Sequence, residues 1–154
     1  MRVYIETTIF NRYFENGREY SAETKRLFKR FKDGLDEPFT SFAVVEELEK
    51  APEPKRSDML NRMSHYNVQV LEITNEVDDL AEAYITTEII PRNYKYDGIH
   101  IAAAAINDMD CTVSLNFHHI NRLKTKTATK AVNLLRGYTN PDICTPMEVI
   151  EDET

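Results

Sequence analysis

Aspartate 97 stands at the head of a run, Tyr96-Asp97-Gly98-Ile99-His100-Ile101-Ala102-Ala103-Ala104-Ala105, in which an acid opens a helix and an apolar face follows at once. A carboxylate so placed carries a structural cost unless it has a use. Two further acids sit just after expected strands: Glu6 behind Arg2-Val3-Tyr4-Ile5, and Glu46 shortly behind Phe39-Thr40-Ser41. A polar Asn116 follows the expected strand Thr112-Val113-Ser114-Leu115. Oxygen side chains gathered at strand ends are the ligand type that hard divalent cations prefer. The simpler structural role for Glu6 and Asp97 is helix capping, since a carboxylate at a helix N-terminus is stabilising by about 0.3 to 1 kcal/mol.

The elements that position these residues can be read from the pattern. Val3-Tyr4-Ile5 is β-branched and aromatic and suits a buried first strand, with Thr7-Thr8 opening a helix behind it. Residues 22–31 place Leu27 and Phe31 on one stripe among lysines and arginines, a surface helix that ends before Gly34 and Pro38. Ser41 is an expected N-cap for a helix turning Val44, Val45 and Leu48 inward, closed by Pro52 and Pro54. A polar helix near 55–66, a strand Val68-Gln69-Val70-Leu71 and a helix from Thr74 carrying Val77, Leu80, Ala81 and Tyr84 follow, the last stopped by Pro91. Ile99, Ala102, Ala103 and Ile106 repeat the helical spacing behind Asp97. Ile143-Cys144 is a short strand, and Thr145-Pro146-Met147-Glu148 has the N-cap, N1 proline and N3 glutamate of a capped helix. Strands alternating with helices imply a mainly parallel sheet covered on both faces, whose ligands bind beyond the strands' carboxyl ends.

The chain of 154 residues has the length of one domain. Cys111 and Cys144 both fall in expected strands without metal-ligand spacing, so they read as buried reduced thiols. The chain opens without a basic start and long apolar run, and no stretch reaches the roughly 18 apolar residues of a membrane helix; the expected location is cytoplasmic. Nineteen basic against twenty-six acidic residues give a net charge of -7, which argues against coating nucleic acid through bulk charge alone. The distribution is uneven: from Asn116 to Asn140 there is no Asp or Glu, whereas Arg122, Lys124, Lys126, Lys130 and Arg136 all fall there. A phosphate backbone fits along that stretch, with Arg122, Lys124 and Lys126 nearest Asn116; its plainer reading is a solvated helix face. His100 reads as a packed or hydrogen-bonded histidine, His118 and His119 as solvent-facing, and none has zinc spacing.

Four segments carry a resemblance: Tyr4-Ile5-Glu6-Thr7-Thr8, Ser41-Phe42-Ala43-Val44-Val45-Glu46, Asp97-Gly98-Ile99-His100-Ile101-Ala102, and Ser114-Leu115-Asn116-Phe117-His118-His119-Ile120. In this order and spacing the chain resembles the PIN-domain ribonucleases, in particular the toxins of bacterial toxin–antitoxin pairs. The resemblance implies one three-layer α/β/α sandwich over residues 1–154, in which acids at one sheet edge hold Mg²⁺ or Mn²⁺ for hydrolysis of RNA phosphodiester bonds. On that implication Glu6 and Asp97 bind the metal, Glu46 binds it or orients the attacking water, and Asn116 ligates it or positions a water ligand. Thr7 and Ser114 hold these groups by hydrogen bonds. It also implies a homodimer and an antitoxin protein that covers the site.

Two positions depart from the family pattern. Glu6 stands where the usual residue is aspartate, and its extra methylene moves the carboxylate by about 1.5 Å, which disfavours Mg²⁺, with its strict octahedral distances, relative to Mn²⁺. Asn116 stands where many members carry aspartate, which removes one negative charge. These changes keep a competing expectation open, a catalytically silent PIN-fold module that binds RNA or protein. A domain binding a small phosphate ligand ranks last, because the four glycines form neither G-x-G-x-x-G nor a P-loop.

Overall fold

The computed structural model describes residues 1–151, so the last three residues of the expected domain lie outside the described residues. Its centre is a sheet of five strands: β1 (Arg2–Ile5), β2 (Glu37–Ser41), β3 (Gln69–Leu71), β4 (Cys111–Val113) and β5 (Asp142–Cys144). Their order is β3-β2-β1-β4-β5, and every neighbouring pair is parallel. Chain order therefore begins in the middle, steps outward through β2 and β3, and returns to the other side of β1 for β4 and β5. The crevice between β1 and β4 is the point at which the winding reverses, and in open parallel sheets that is where ligands sit.

The helices are α1 (Thr7–Tyr13), α2 (Ser21–Lys32), α3 (Phe42–Glu49), α4 (Lys55–His65), α5 (Asn75–Thr86), α6 (Lys95–Ile106), α7 (Leu123–Leu135) and α8 (Pro146–Ile150), with a 3₁₀ turn at Arg92–Tyr94. They form two outer layers. Val3 and Ile5 of β1 point into one core with Ile9, Phe10, Leu27, Phe28, Val44, Leu48, Met59 and Val149, drawn from α1 to α4 and α8. Tyr4 points to the opposite core, with Val77, Leu80, Tyr84 and the alanines of α6, and Val132 of α7 packs against its margin. A central parallel strand is buried on both faces, which is why β1 reads as a continuous apolar run and not as an alternating one.

Local chemistry explains the element boundaries. α2 buries Ser21, Thr24, Leu27, Phe28 and Phe31, one stripe at helical spacing, and Gly34 at φ +75° supplies the left-handed turn behind it. α5 has Thr74 at its N-cap, whose side chain accepts from the Val77 N–H, but it ends at Thr86, ahead of the expected stop at Pro91, with Glu88 at φ 61° turning the chain. In α6 every residue from Gly98 to Ala105 is buried, so this helix has no solvent face over its central turns and is held between the sheet and α5. α7 occupies the acid-free stretch for which the sequence supplies a charge pattern and no apolar period. α8 carries the expected capping box between Thr145 and Glu148 with Pro146 at its start. Cys111 and Cys144 are free and buried on adjacent strands, as expected. Among the described residues no helix is long and apolar enough to cross a membrane.

Candidate active site

Glu6 is the first residue past β1 and the N-cap of α1. Only 3% of it is exposed. One oxygen, Oε2, accepts from the Thr8 N–H at 3.1 Å, from the Thr8 hydroxyl, and from the Ser114 hydroxyl at 2.9 Å. The capping role and the buried cluster thus coincide: the same carboxylate closes α1 and ties it to the segment after β4. Thr8 completes the tie by accepting the Leu115 N–H at 2.9 Å. Burial pushes the Glu6 carboxyl above the ordinary carboxylate range, against the His100 charge and the hydroxyl donors that pull it down.

Asp97 lies at the third position of α6, behind the 3₁₀ turn. Its Oδ1 accepts from the Asn116 amide at 3.3 Å. Its Oδ2 is buried without any hydrogen-bond partner, so this acid, unlike Glu6, is no cap. Burial raises its pKa, opposed by the charges of His100 and His119. A buried carboxylate oxygen lacking a donor is costly unless a cation or proton meets it.

Helix α3 turns a different glutamate inward from the one expected. Glu46 is exposed and accepts from the Tyr96 hydroxyl at 2.8 Å, with the Lys50 ammonium 5.5 Å from the Tyr96 ring centroid. Glu47 is turned inward. Its Oε1 accepts from the Thr7 hydroxyl at 2.9 Å and meets His100 Nε2 at 2.8 Å. At 3.6 residues per turn, position 47 falls within the arc spanned by the buried Ala43 and Val44, whereas position 46 falls outside it. Helical phase, not distance from Ser41, is the signal that finds it.

His100 is fully buried on α6 and connects the acids. Its Nδ1 lies 2.7 Å from the Tyr4 hydroxyl, which in turn lies 2.7 Å from Ser41 Oγ. Ser41, expected as a cap, makes no cap hydrogen bond and serves Tyr4 instead. Burial opposes the imidazolium, but the Glu47 hydrogen bond and the charges of Glu6, Glu47 and Asp97 outweigh it and raise the His100 pKa. Conversely, burial pushes Glu47 up while its bonds to His100 and Thr7 hold it below the usual carboxylate range. Tyr4, desolvated, stays a phenol.

Asn116 is held by its own loop. Its N–H donates to Ser114 Oγ at 2.9 Å and its Oδ1 accepts the His119 N–H at 3.1 Å. The backbone donor at His119 identifies the amide oxygen, so Asn116 presents its NH₂ to Asp97. The oxygen expected as a ligand thus accepts from the loop, and the side chain meets Asp97 as a donor. Ser114 bonds Glu6, one of the expected acids, whereas Thr7 bonds Glu47, which is not among them. Arg122 and Lys124 are exposed at the start of α7, and Arg122 Nη1 donates to the His118 carbonyl at 3.0 Å. Lys126 instead lines a groove with Lys130, Asp142 and Glu148 along β5, away from the acids.

The arrangement therefore brings together Glu6, Glu47, Asp97 and His100 at the carboxyl ends of β1 and β4. Among the described residues, no three His, Cys, Asp or Glu side chains converge closely enough to enclose a metal by themselves. An ion held here would keep water ligands, as Mg²⁺ does at sites of one or two carboxylates.

Neither a protein-family model nor a curated protein matches the chain. A chain in the crystal structure of VapBC2 from Rickettsia felis, bound to a DNA fragment from the VapBC2 promoter, has the same architecture: TM-score 0.54 over 93% of this chain and 97% of that one, at 11% identity. That likeness is one of fold, and the all-parallel five-stranded sheet between two helical layers is PIN-like.

Proposed function

We propose that the protein is a metal-dependent endoribonuclease that hydrolyses RNA phosphodiester bonds, acting as the toxin of a toxin–antitoxin pair. The observation that carries this reading is the buried, partnerless Oδ2 of Asp97, beside two further acids at the winding reversal of a PIN-like sheet. Carboxylate oxygens with one uncompensated lone-pair set suit a hard divalent cation, Mg²⁺ or Mn²⁺, better than a soft metal. Asp97 and Glu6 are the residues that would hold it. When bound, such an ion supplies an activated water and neutralises charge developing on the phosphate.

The chain's own residues divide the remaining work. Glu47 is kept ionised by His100 and Thr7 at Oε1, which leaves Oε2 to orient the attacking water and take its proton. His100 and Tyr4 fix Glu47 from behind. Asn116 aims Asp97 through Oδ1 and leaves Oδ2 forward. Arg122 and Lys124, exposed at the start of α7, are the cations that would meet a phosphate backbone leaving the site, whereas Lys126 belongs to the separate groove along β5.

The antitoxin and the homodimer belong to the same reading. Leu123, Leu134 and Leu135 of α7 are 80%, 72% and 88% exposed, an apolar content that a partner protein would cover. A cytoplasmic site of action follows from an RNA target.

The test is incubation of the purified protein with labelled RNAs in Mg²⁺, in Mn²⁺ and in EDTA, alongside Asp97→Asn. Metal-dependent cleavage lost in the variant supports the nuclease. The competing silent module is favoured by the three donors already on Glu6 Oε2 and by the lack of an enclosed three-ligand cluster among the described residues. It predicts RNA binding without cleavage in any metal.

A further inference from the structure

Three aromatic side chains keep about half of their surface in water: Phe42 at 53%, Tyr94 at 47% and Phe117 at 46%. All three lie at the same end of the sheet. Phe42 follows the last residue of β2, Phe117 lies in the loop after β4, and Tyr94 precedes the helix that carries Asp97. Two of them are built into that loop. The Tyr94 ring stacks on His119 with centroids 3.9 Å apart and planes inclined by 30°. Phe117 packs against Tyr20 at 6.0 Å and 44°. His119 is itself fixed, since its N–H donates to Asn116 Oδ1 and its carbonyl accepts the Thr125 hydroxyl at 2.7 Å.

The loop that aims Asn116 at Asp97 thus also carries Phe117 and holds Tyr94 through His119, two half-exposed aromatic rings. Cations follow them in the chain: Arg122 Nη1 donates to the His118 carbonyl at 3.0 Å, and Lys124 is exposed in the first turn of α7. An aromatic face beside a basic groove is the pairing that holds single-stranded nucleic acid, with bases on the rings and phosphates along the cations. Tyr94 lies three residues before Asp97, and Phe117 adjoins Asn116, which bonds Asp97, so both rings sit on the segments that carry the site, as holding a cleavable strand there requires.

We infer that Tyr94 stacked on His119, together with Phe117, forms a base-stacking subsite that holds unpaired nucleotides flanking the phosphate to be cut. The inference rests on the proposed RNA hydrolysis and adds a requirement to it. Bases inside a duplex are already stacked on each other and offer no free face, so the subsite selects unpaired segments over paired ones.

The experiment measures binding, in Mn²⁺, of two RNAs to Asp97→Asn protein so that the substrate stays intact. One RNA is a hairpin with 2-aminopurine in its loop and the other is fully paired. The expected result is quenching of 2-aminopurine on binding, loop affinity lowered about fivefold or more by a further Tyr94→Ala or Phe117→Ala change, and quenching lost in both. Tyr94→Phe, which keeps the ring, retains affinity and quenching, and binding of the paired RNA is the same for all variants. Loop affinity and quenching unchanged by both alanine variants would overturn the subsite while leaving RNA hydrolysis standing. Absence of binding to either RNA would remove the RNA reading and the subsite together.

Discussion

The Asn116 amide donates to Asp97 Oδ1 across 3.3 Å while its own oxygen receives the His119 N–H at 3.1 Å, so one side chain joins the loop after β4 to the acid on α6. Only one Asp97 oxygen benefits, and Oδ2 remains buried without a donor. In the metal-free protein this is an unfavourable arrangement. Asp97→Asn is therefore expected to raise thermal stability in EDTA while lowering RNA cleavage at least 100-fold, and divalent metal should raise Tm in the wild type far more than in the variant. Thermal melts with and without Mn²⁺, paired with cleavage assays, check both parts.

Asn116→Asp replaces the donor facing Asp97 with a second carboxylate. Repulsion at that distance should destabilise the metal-free protein, with about 1 to 3 kcal/mol from the loss of a part-buried hydrogen bond to a carboxylate alone, and metal should recover most of the loss. Urea unfolding in EDTA and in Mn²⁺ measures the difference.

Glu46 and Glu47 are neighbours with opposite environments, one exposed beside Tyr96 and one bonded to His100 and Thr7. Glu47→Gln should reduce cleavage at least 100-fold, whereas Glu46→Gln should change it less than threefold. Equal effects from the two substitutions would remove the assignment of Glu47.

The pH dependence of stability follows from the shifts within the cluster. His100 is raised above its ordinary 6.5, so its contribution is fully present below that value and is lost as pH rises through the folded pKa. Glu6 and Asp97 are also raised, above 4.5 and 3.8, and act in the same direction, since both are more easily accommodated protonated. Glu47, lowered from 4.5, contributes above that value and loses its share as pH falls through its folded pKa. The metal-free protein should therefore be more stable near pH 6 than near pH 8.5, and His100→Gln should flatten that slope. Chemical denaturation across this range in EDTA reads it directly.

Gly98 lies within α6, and a Cβ there would meet Ala81 Cβ, Ala81 O and Ile90 Cδ1, each at 3.6 Å, ordinary contact distances. Gly98→Ala should thus stabilise by about 0.5 to 1 kcal/mol, which corresponds to a Tm increase of about 1 to 4 °C for a chain of this size. Differential scanning calorimetry decides, and a lower Tm would mean that α6 cannot take up the methyl group against α5.

Much of this architecture was legible in the residues. The apolar run Val3-Tyr4-Ile5, the stripe of α2 and the Thr145-Pro146-Met147-Glu148 cap each express a local rule, and the structure follows them. Glu6 and Asp97 were legible as site candidates because each adjoins a strong element signal, Glu6 behind the first strand and Asp97 at the head of the alanine-rich helix. Glu47 was not, since a sequence offset cannot say which of two adjacent glutamates faces inward; the phase set by Ala43 and Val44 could have. The orientation of the Asn116 amide was out of reach, because the donor that fixes it is the backbone of His119 in a loop without a periodic signature. The Tyr4–His100–Glu47 chain joins residues up to 96 positions apart, and nothing local announces such contacts.

The most direct measurement is metal-dependent RNA cleavage by the partner-free protein, compared among wild type, Asp97→Asn and Glu47→Gln in Mg²⁺, Mn²⁺ and EDTA. Cleavage in Mn²⁺ that disappears in EDTA and in both variants is the predicted result. Intact RNA in every metal, with the folded wild type still binding it, would contradict a nuclease and leave a silent RNA-binding fold in its place.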